Sequence, residues 1–263
     1  MRFDTYIPQD ILRPYIKHFA ITESAGEATY KVLPDTGIVL GFQYRGRLSQ
    51  VKDGQTTLLN PLGLTGIHDS YRIFKNSADI GTVLVYFREG GAAAFFRQPL
   101  HEVFRESISL DNFMLRSELL ILEEQLCEAG ADAGKIRALE EWLIERIRQI
   151  TPDPLVMQAL ALIHQSKGNI RIKELAVQLH TSQSPLEKRF RQVVGATPKK
   201  FASIVRLKHT LQQYHPRNSL TDLGYEAGFY DQAHFIKKFS HFTGETPEEF
   251  FSGKDGANDK KDE

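Results

Sequence analysis

The stretch GATPKKF at 195–201 returns as GETPEEF at 244–250, with Gly195, Thr197, Pro198 and Phe201 matched by Gly244, Thr246, Pro247 and Phe250, each 49 residues later. A repeat of roughly 20–50 residues marks a duplicated supersecondary unit, and that limits the fold more than any composition does. The alignment extends in both directions. Ile172 and Leu175 match Leu220 and Leu223 at an offset of 48, while Leu186 and Phe190 match Phe235 and Phe239 at 49. The extra residue falls between the paired helices, where the second copy has Gly228 and the first goes straight to His180. Each copy reads as a short helix, a tight turn, a second helix, a glycine stop and a Pro-initiated helix, which is helix-turn-helix organisation.

The period of the second helix sorts its side chains. In the first copy Leu186, Phe190 and Val194 face inward, leaving Gln183, Ser184, Glu187, Lys188 and Arg191 outward. In the second, Phe235, Phe239 and Phe242 face inward and Gln232, Ala233, Lys237 and Ser240 outward, with His234 at the edge. Ser182 and Asp231 stand where N-caps belong, their side-chain oxygens placed to accept from unpaired amides. A helix that reads the major groove needs this layout, because it reaches bases through its first turns. By position, Gln183, Ser184, Glu187, Lys188, Gln232, Ala233, His234 and Lys237 are candidates for base edges, and Arg191, Lys199, Lys200 and Lys238 for phosphates. Each also has a plain reading as a solvated surface residue, and His234, beside Phe235, one as a structural histidine. A single copy would pass for an αα-hairpin that only packs. Two copies on one connecting helix (about 198–214) favour DNA, provided the reading helices lie ~34 Å apart, one turn of B-DNA.

Charge supports this only through its distribution. The 33 basic and 33 acidic residues cancel, but residues 1–151 hold 17 Lys+Arg against 20 Asp+Glu and residues 152–253 hold 13 against 9. From 188 to 221 there are Lys188, Arg189, Arg191, Lys199, Lys200, Arg206, Lys208 and Arg217, and no acidic residue. With 41% hydrophobic and 25% charged residues the chain reads as a soluble globular protein. No apolar run approaches the ~18–20 residues of a transmembrane helix. Asp4, Pro8, Asp10 and Pro14 leave no signal-peptide core. The single cysteine, Cys127, fits a reducing cytoplasm and excludes a disulfide framework or a multi-cysteine zinc site.

The expected fold class has two domains: an N-terminal, mainly β domain of barrel or sandwich type followed by helices, and an all-α C-terminal domain with two helix-turn-helix units joined by a linker helix. YKVLP, GIVLGFQY, RLSQV, TTLL, YRIF and IGTVLVYF read as strands within the first ~88 residues. GGAAAFFRQPL reads as a short helix and NFMLRSELLILEEQLCEAG as a longer one. Ile136, Leu139, Leu143, Ile147 and Ile150 make one apolar helix stripe. That stripe either pairs with a second subunit or covers its own barrel. TPDPL at 151–155 is the domain break. The boundaries are therefore 1–110 for a β-rich domain, 111–150 for a helical region, 152–253 for the DNA-binding domain, and 254–263 for a charged tail without structure.

The stretch GFYDQAHFIKKFSHFTGETPEEF (228–250) resembles the signature of the AraC/XylS family of transcription regulators, with Gly228, Phe229, Asp231, Gln232, His234, Phe235, Phe239, Gly244, Thr246 and Pro247 in place. The resemblance covers about 155–251, and FREGGAAAFFRQPLHEV (87–103) resembles, more weakly, the sensory half of one subgroup. It implies that 1–110 is a cupin-like sensory domain for a small-molecule effector, that 111–150 is a dimerisation or linker region of a homodimer, and that the partners are double-stranded DNA and, if the protein activates, RNA polymerase. Activation is the family default. Phe42, Tyr44, Tyr86 and Phe87 are candidates to line the effector pocket, or else to fill the barrel core. His180 replaces a customary turn Gly, Ser184 a larger base-reading residue, and Gly224 a common Ala. No enzyme reading survives. A metal enzyme needs clustered ligands, and His18, His68 and His101 form no paired-His motif, so no metal or cofactor is expected. An alkyl-acceptor repair protein needs reactive cysteines, whereas Cys127 has Glu123, Glu124 and Glu128 around it. The remaining alternative is a protein-interaction module that uses the helix-turn-helix pairs without DNA.

Overall fold

The computed structural model describes residues 2–148, 151–214, 223–225, 227–229 and 231–258. Ten strands build the N-terminal domain: β1 (Arg2–Tyr6), β2 (Ile16–Ser24), β3 (Ala28–Val32), β4 (Val39–Arg45), β5 (Leu48–Lys52), β6 (Gln55–Leu58), β7 (Leu62–Thr65), β8 (Arg72–Asn76), β9 (Ile80–Phe87) and β10 (Ser107–Ser109). One sheet has the order β1-β2-β9-β4-β7-β10 and the other β3-β8-β5-β6, with antiparallel pairing throughout. Six strands match sequence expectation. Strands β1, β2, β7 and β10 were not foreseen, and β2 shows why: it lies between β1 and β9, and Phe19, Ala20 and Ile21 are buried in succession, so it has no two-residue alternation. The segment expected as a short helix after β9 forms two 3-10 turns instead, Gly91–Ala94 and Leu100–Val103.

Helices α1 (Arg116–Glu128) and α2 (Asp132–Ile144) form a hairpin on the outer face of the six-stranded sheet. Ile136, Leu139 and Leu143 are buried there, and the Trp142 ring meets Phe42 edge-on at 6.1 Å. Ile147 lies beyond the end of α2, half-buried against the same core. Of the two roles open to the stripe, dimer helix or barrel cover, Ile136, Leu139 and Leu143 take the second and cover their own barrel, and Ile147 is not on the helix. Ile150 lies outside the described residues.

The C-terminal helices are α3 (Pro154–Gln165), α4 (Ile172–Gln178), α5 (Gln183–Val194), α6 (Pro198–Gln213), α7 (Gln232–Thr243) and α8 (Pro247–Asn258). Asp153 starts α3 by accepting from the amides of Leu155 and Val156. Helix α8 continues to Asn258, into the segment expected to be unstructured; residues 259–263 lie outside the described residues. So do Pro216, expected to stop α6, and Leu220 and Arg217. Among the described residues no helix is long and apolar enough to cross a membrane. One apolar cluster runs from Leu12 and Phe87 in the barrel through Phe96 and Leu100 to Phe190, Phe201 and Phe239 in the helices. The two halves therefore meet through a continuous core as well as through polar contacts.

Candidate nucleic-acid interface and cavity

Both copies fold as the repeat requires. Leu186, Phe190 and Val194 of α5 are buried, as are Phe235, Phe239 and Phe242 of α7. Leu175 and Leu223 sit beneath them, each almost wholly buried. His180 has φ 50° and Gly228 φ 75° in the matching turns, so the first copy holds a β-carbon in the left-handed region that the second reserves for glycine. Gly195 (φ 97°) and Gly244 (φ 80°) end α5 and α7 in the left-handed conformation. The restart after them is capped by threonine. Thr197 accepts from the Lys200 amide at 3.2 Å. Thr246 accepts from the Glu249 amide while Glu249 accepts from the Thr246 amide at 2.8 Å, a reciprocal capping box that Lys200 denies the first copy.

The two N-caps differ. Asp231 accepts from the His234 amide at 2.7 Å, as expected. Ser182 occupies the same place at α5 but makes no side-chain cap hydrogen bond, which corrects the sequence reading. A β-carbon at Gly224 would come within 3.2 Å of the Phe235 ring, so the missing methyl admits a phenylalanine where the first copy has Leu186.

All eight residues assigned to base edges are exposed: Gln183, Ser184, Glu187 and Lys188 on α5, and Gln232, Ala233, His234 and Lys237 on α7. His234 also rests on the Phe229 ring at 5.6 Å, so its ring position is fixed by packing. The α5 face borders a groove of about 600 Å³ whose far wall is His101, on the second 3-10 turn of the β domain.

The basic run divides. Lys188, Arg191 and Lys199 are exposed and, among the described residues, pair with no carboxylate; Lys238 on α7 is likewise exposed. Arg189 grips Asp153 (Nε to Oδ2 2.6 Å), and Arg206 donates to the Gly168 carbonyl, where burial lowers its pKa. Lys200, expected at a phosphate, is ion-paired with Asp69 of the β domain, which also takes Arg105 at 2.5 Å. Lys208 pairs with Asp35. Burial alone would push the Asp69 carboxyl up, but Arg105 and Lys200 outweigh it and hold it at about 2. His68 faces no metal cluster: its Nδ1 meets the Gly66 carbonyl at 2.6 Å, and burial with nearby Arg72 lowers it to about 4. Among the described residues no group of three or more His, Cys, Asp or Glu could hold a metal ion.

A cavity of about 520 Å³ lies between the two sheets. Tyr86 lines it together with Val39, Gly41 and Leu84, and Tyr30 and Phe74 close it from the four-stranded sheet. Phe42, Phe87 and Tyr44 do not line it, which corrects three of the four pocket candidates. The reason is the two-residue period of β4 and β9: Phe42 and Phe87 point to the opposite face and are buried there. The Tyr44 hydroxyl donates to Glu23 at 2.8 Å, and its ring receives the Lys135 ammonium at 4.8 Å. Strand β9 is apolar on both faces, so its sequence does not say which side is the cavity.

Residues 175–253 match a helix-turn-helix domain model, and residues 4–109 match the model of a domain of unknown function (DUF6597). Residues 175–253 therefore carry a helix-turn-helix domain similar to that of AraC-type transcription regulators. Among similar proteins are the Msm operon regulatory protein of Streptococcus mutans (31% identical over 99 residues, 36% of this chain and 35% of that protein) and the transcriptional activator RhaS of Escherichia coli (32% over 85 residues, 31% and 30%). These matches span about a third of the relatives' own length. ToxT from Vibrio cholerae aligns over 95% of this chain and 98% of its own, with 11% identity and a TM-score of 0.44.

Proposed function

We propose that the protein is a cytoplasmic, sequence-specific regulator of transcription, an activator that works as a homodimer, contacts RNA polymerase, and changes its DNA binding when a small molecule enters the cavity of the β domain. The observation that carries the DNA reading is the pair of outward polar faces on α5 and α7, each opening at the helix N-terminus and each set by the same stop-and-restart turn onto its neighbours. Gln183, Ser184, Glu187 and Lys188 face bases from the first copy, and Gln232, Ala233, His234 and Lys237 from the second. Glu187 suits a cytosine N4 donor. Arg191, Lys199 and Lys238 face phosphates, whereas Lys200 reaches one only after leaving Asp69.

The test is selection of bound sequences from a random duplex pool by the full-length protein at two salt concentrations. Two short conserved elements about one helical turn (~10 base pairs) apart support bipartite reading. A blank first element assigns α5 to backbone grip alone. Absence of binding even at low salt overturns the DNA reading and favours the protein-interaction alternative, since phosphate contacts strengthen as salt falls.

A further inference from the structure

The cavity is bordered by two charged side chains among the described residues, Glu23 and Asp35, and both are carboxylates. Glu23 is fully engaged: it takes the Tyr44 hydroxyl at 2.8 Å, Arg2 at 3.1 Å and Arg45 at 3.3 Å. Asp35 is engaged on one side only. The Thr36 amide (2.7 Å), the Thr36 hydroxyl (3.4 Å) and the Lys208 ammonium all donate to Oδ1, and among the described residues Oδ2 accepts from none. Burial pushes the Asp35 carboxyl up, yet Lys208 and the Thr36 amide outweigh it, so the group is ionised at neutral pH.

The walls beside Asp35 are aromatic. Tyr30 stacks on Phe74 at 6.1 Å and Tyr86 on His18 at 4.5 Å. Burial first, then the charge of Asp35 and the nearness of Tyr30, raise the Tyr86 hydroxyl, which stays protonated. A carboxylate oxygen with an open lone pair, flanked by π-faces and hydroxyls in a largely apolar chamber, is the surrounding an organic ammonium group favours. At the other end the buried Arg72 sits behind Phe74 (5.1 Å) and donates to Ser107 and Gln50, and it does not line the cavity.

Resting on the reading that this cavity receives the signal, we infer that its ligand is an apolar molecule with an ammonium head bound to Asp35 Oδ2, on the carboxylate whose other oxygen holds Lys208 of α6. Ligand and linker helix then share one anion. The Asp35–Lys208 pair is half-exposed, the kind of ion pair that contributes little and exchanges readily. The ligand's charge weakens Lys208's hold, and removing Lys208 strengthens the ligand's.

The experiment is calorimetric titration of the full-length protein with decylamine, decan-1-ol and decanoate, each below its micellar concentration. Decylamine should bind roughly tenfold or more tighter than the alcohol, with decanoate weakest. Asp35→Asn should bring decylamine down to the alcohol's affinity while leaving the alcohol unchanged, which also shows that the cavity is intact. Lys208→Met should tighten decylamine by about threefold, as expected for loss of a competing like charge. Equal binding of alcohol and amine, preference for decanoate, or indifference to Lys208→Met overturns the ammonium assignment but leaves the cavity as the signal site. Failure of all three probes to bind counts against the cavity reading itself.

Discussion

The two copies of the repeat share their apolar pattern and their stop-and-restart turn, yet they meet the β domain to different depths. In both, the stop-turn glycine is the point of contact. A β-carbon on Gly195 would lie 3.1 Å from the Leu100 carbonyl oxygen, and one on Gly244 would lie 2.7 Å from the Tyr71 ring. In the first copy the turn is buried, and α5 packs against both 3-10 turns, with Val193 beside Gly90. In the second the glycine is exposed, and the contact is a rim of Tyr71 and the Lys31–Glu245 ion pair. The same seven residues therefore serve two purposes. They restart a helix, which needs a left-handed residue followed by Pro at N1, and they offer a surface without a side chain against which the β domain packs. The first copy is held closely by the β domain while the second is left more open.

The widest test of that difference lies at two phenylalanines of the one apolar cluster, one in each copy. Phe190→Ala and Phe239→Ala each remove a buried aromatic and should cost about 3–5 kcal/mol. Because α5 is the more closely packed on the β domain, Phe190→Ala should lower the melting of the whole chain, while Phe239→Ala should produce a separate early transition. Identical single transitions in calorimetry would remove the distinction. Next comes the Lys200 latch. Lys200→Ala leaves Asp69, 1% exposed, with Arg105 as its remaining partner, and should cost about 1–2 kcal/mol, less than a fully buried pair because the lysine is 43% exposed. Lys199→Ala, one residue away, should leave stability unchanged and reduce the slope of log affinity against log salt by about 1. The opposite assignment in salt titrations would return Lys200 to the phosphate set.

The polar docking contacts also respond differently to pH. Asp69 is held at about 2, below the ~3.9 of an unfolded aspartate, so its contribution is complete above that value and fades as pH falls toward 2. His164 is raised by its hydrogen bond to Glu89, burial opposing, so its contribution is complete below ~6.5 and disappears as pH rises through the raised value. Protection factors of the α3 amides, which divide out the base-catalysed rise in intrinsic exchange, should fall from pH 6 to 8, and His164→Gln should flatten that profile. The smallest effect compares the caps. Asp231→Ala should cost about 1 kcal/mol, whereas Ser182→Ala, which breaks no cap bond, should fall within ~0.5 kcal/mol. Equal losses in denaturant melts would mean that Ser182 caps after all.

Much of the C-terminal domain was legible because helical periodicity is local. Leu186, Phe190 and Val194 can share a face in only one way, and the duplicated turn sets their register twice over. The outward set on α5 and α7 followed from the same arithmetic except at Ser240, expected to face outward but with its hydroxyl oxygen buried. What escaped was any property depending on a distant partner. Lys199 and Lys200 are adjacent lysines in one motif, and nothing near them tells which will meet Asp69, 131 residues earlier. Phe42 and Phe87 looked like pocket aromatics because β4 and β9 are apolar on both faces, and alternation says which residues share a side without saying which side is hollow. The stripe on α2 was ambiguous for a similar reason, since an apolar helix face records that it is covered and not by what.

The sequence alone determined the repeat, the helix faces, the stop-and-restart turns and the existence of a β-rich half, since these depend on contacts within a few residues and on backbone preferences that travel with the chain. Only the tertiary structure decided that α2 closes its own barrel, that half of the basic run is occupied within the protein, and that the cavity opens beside Asp35. Those outcomes depend on which surfaces meet across more than a hundred residues, where burial and charge pairing are settled by the fold as a whole.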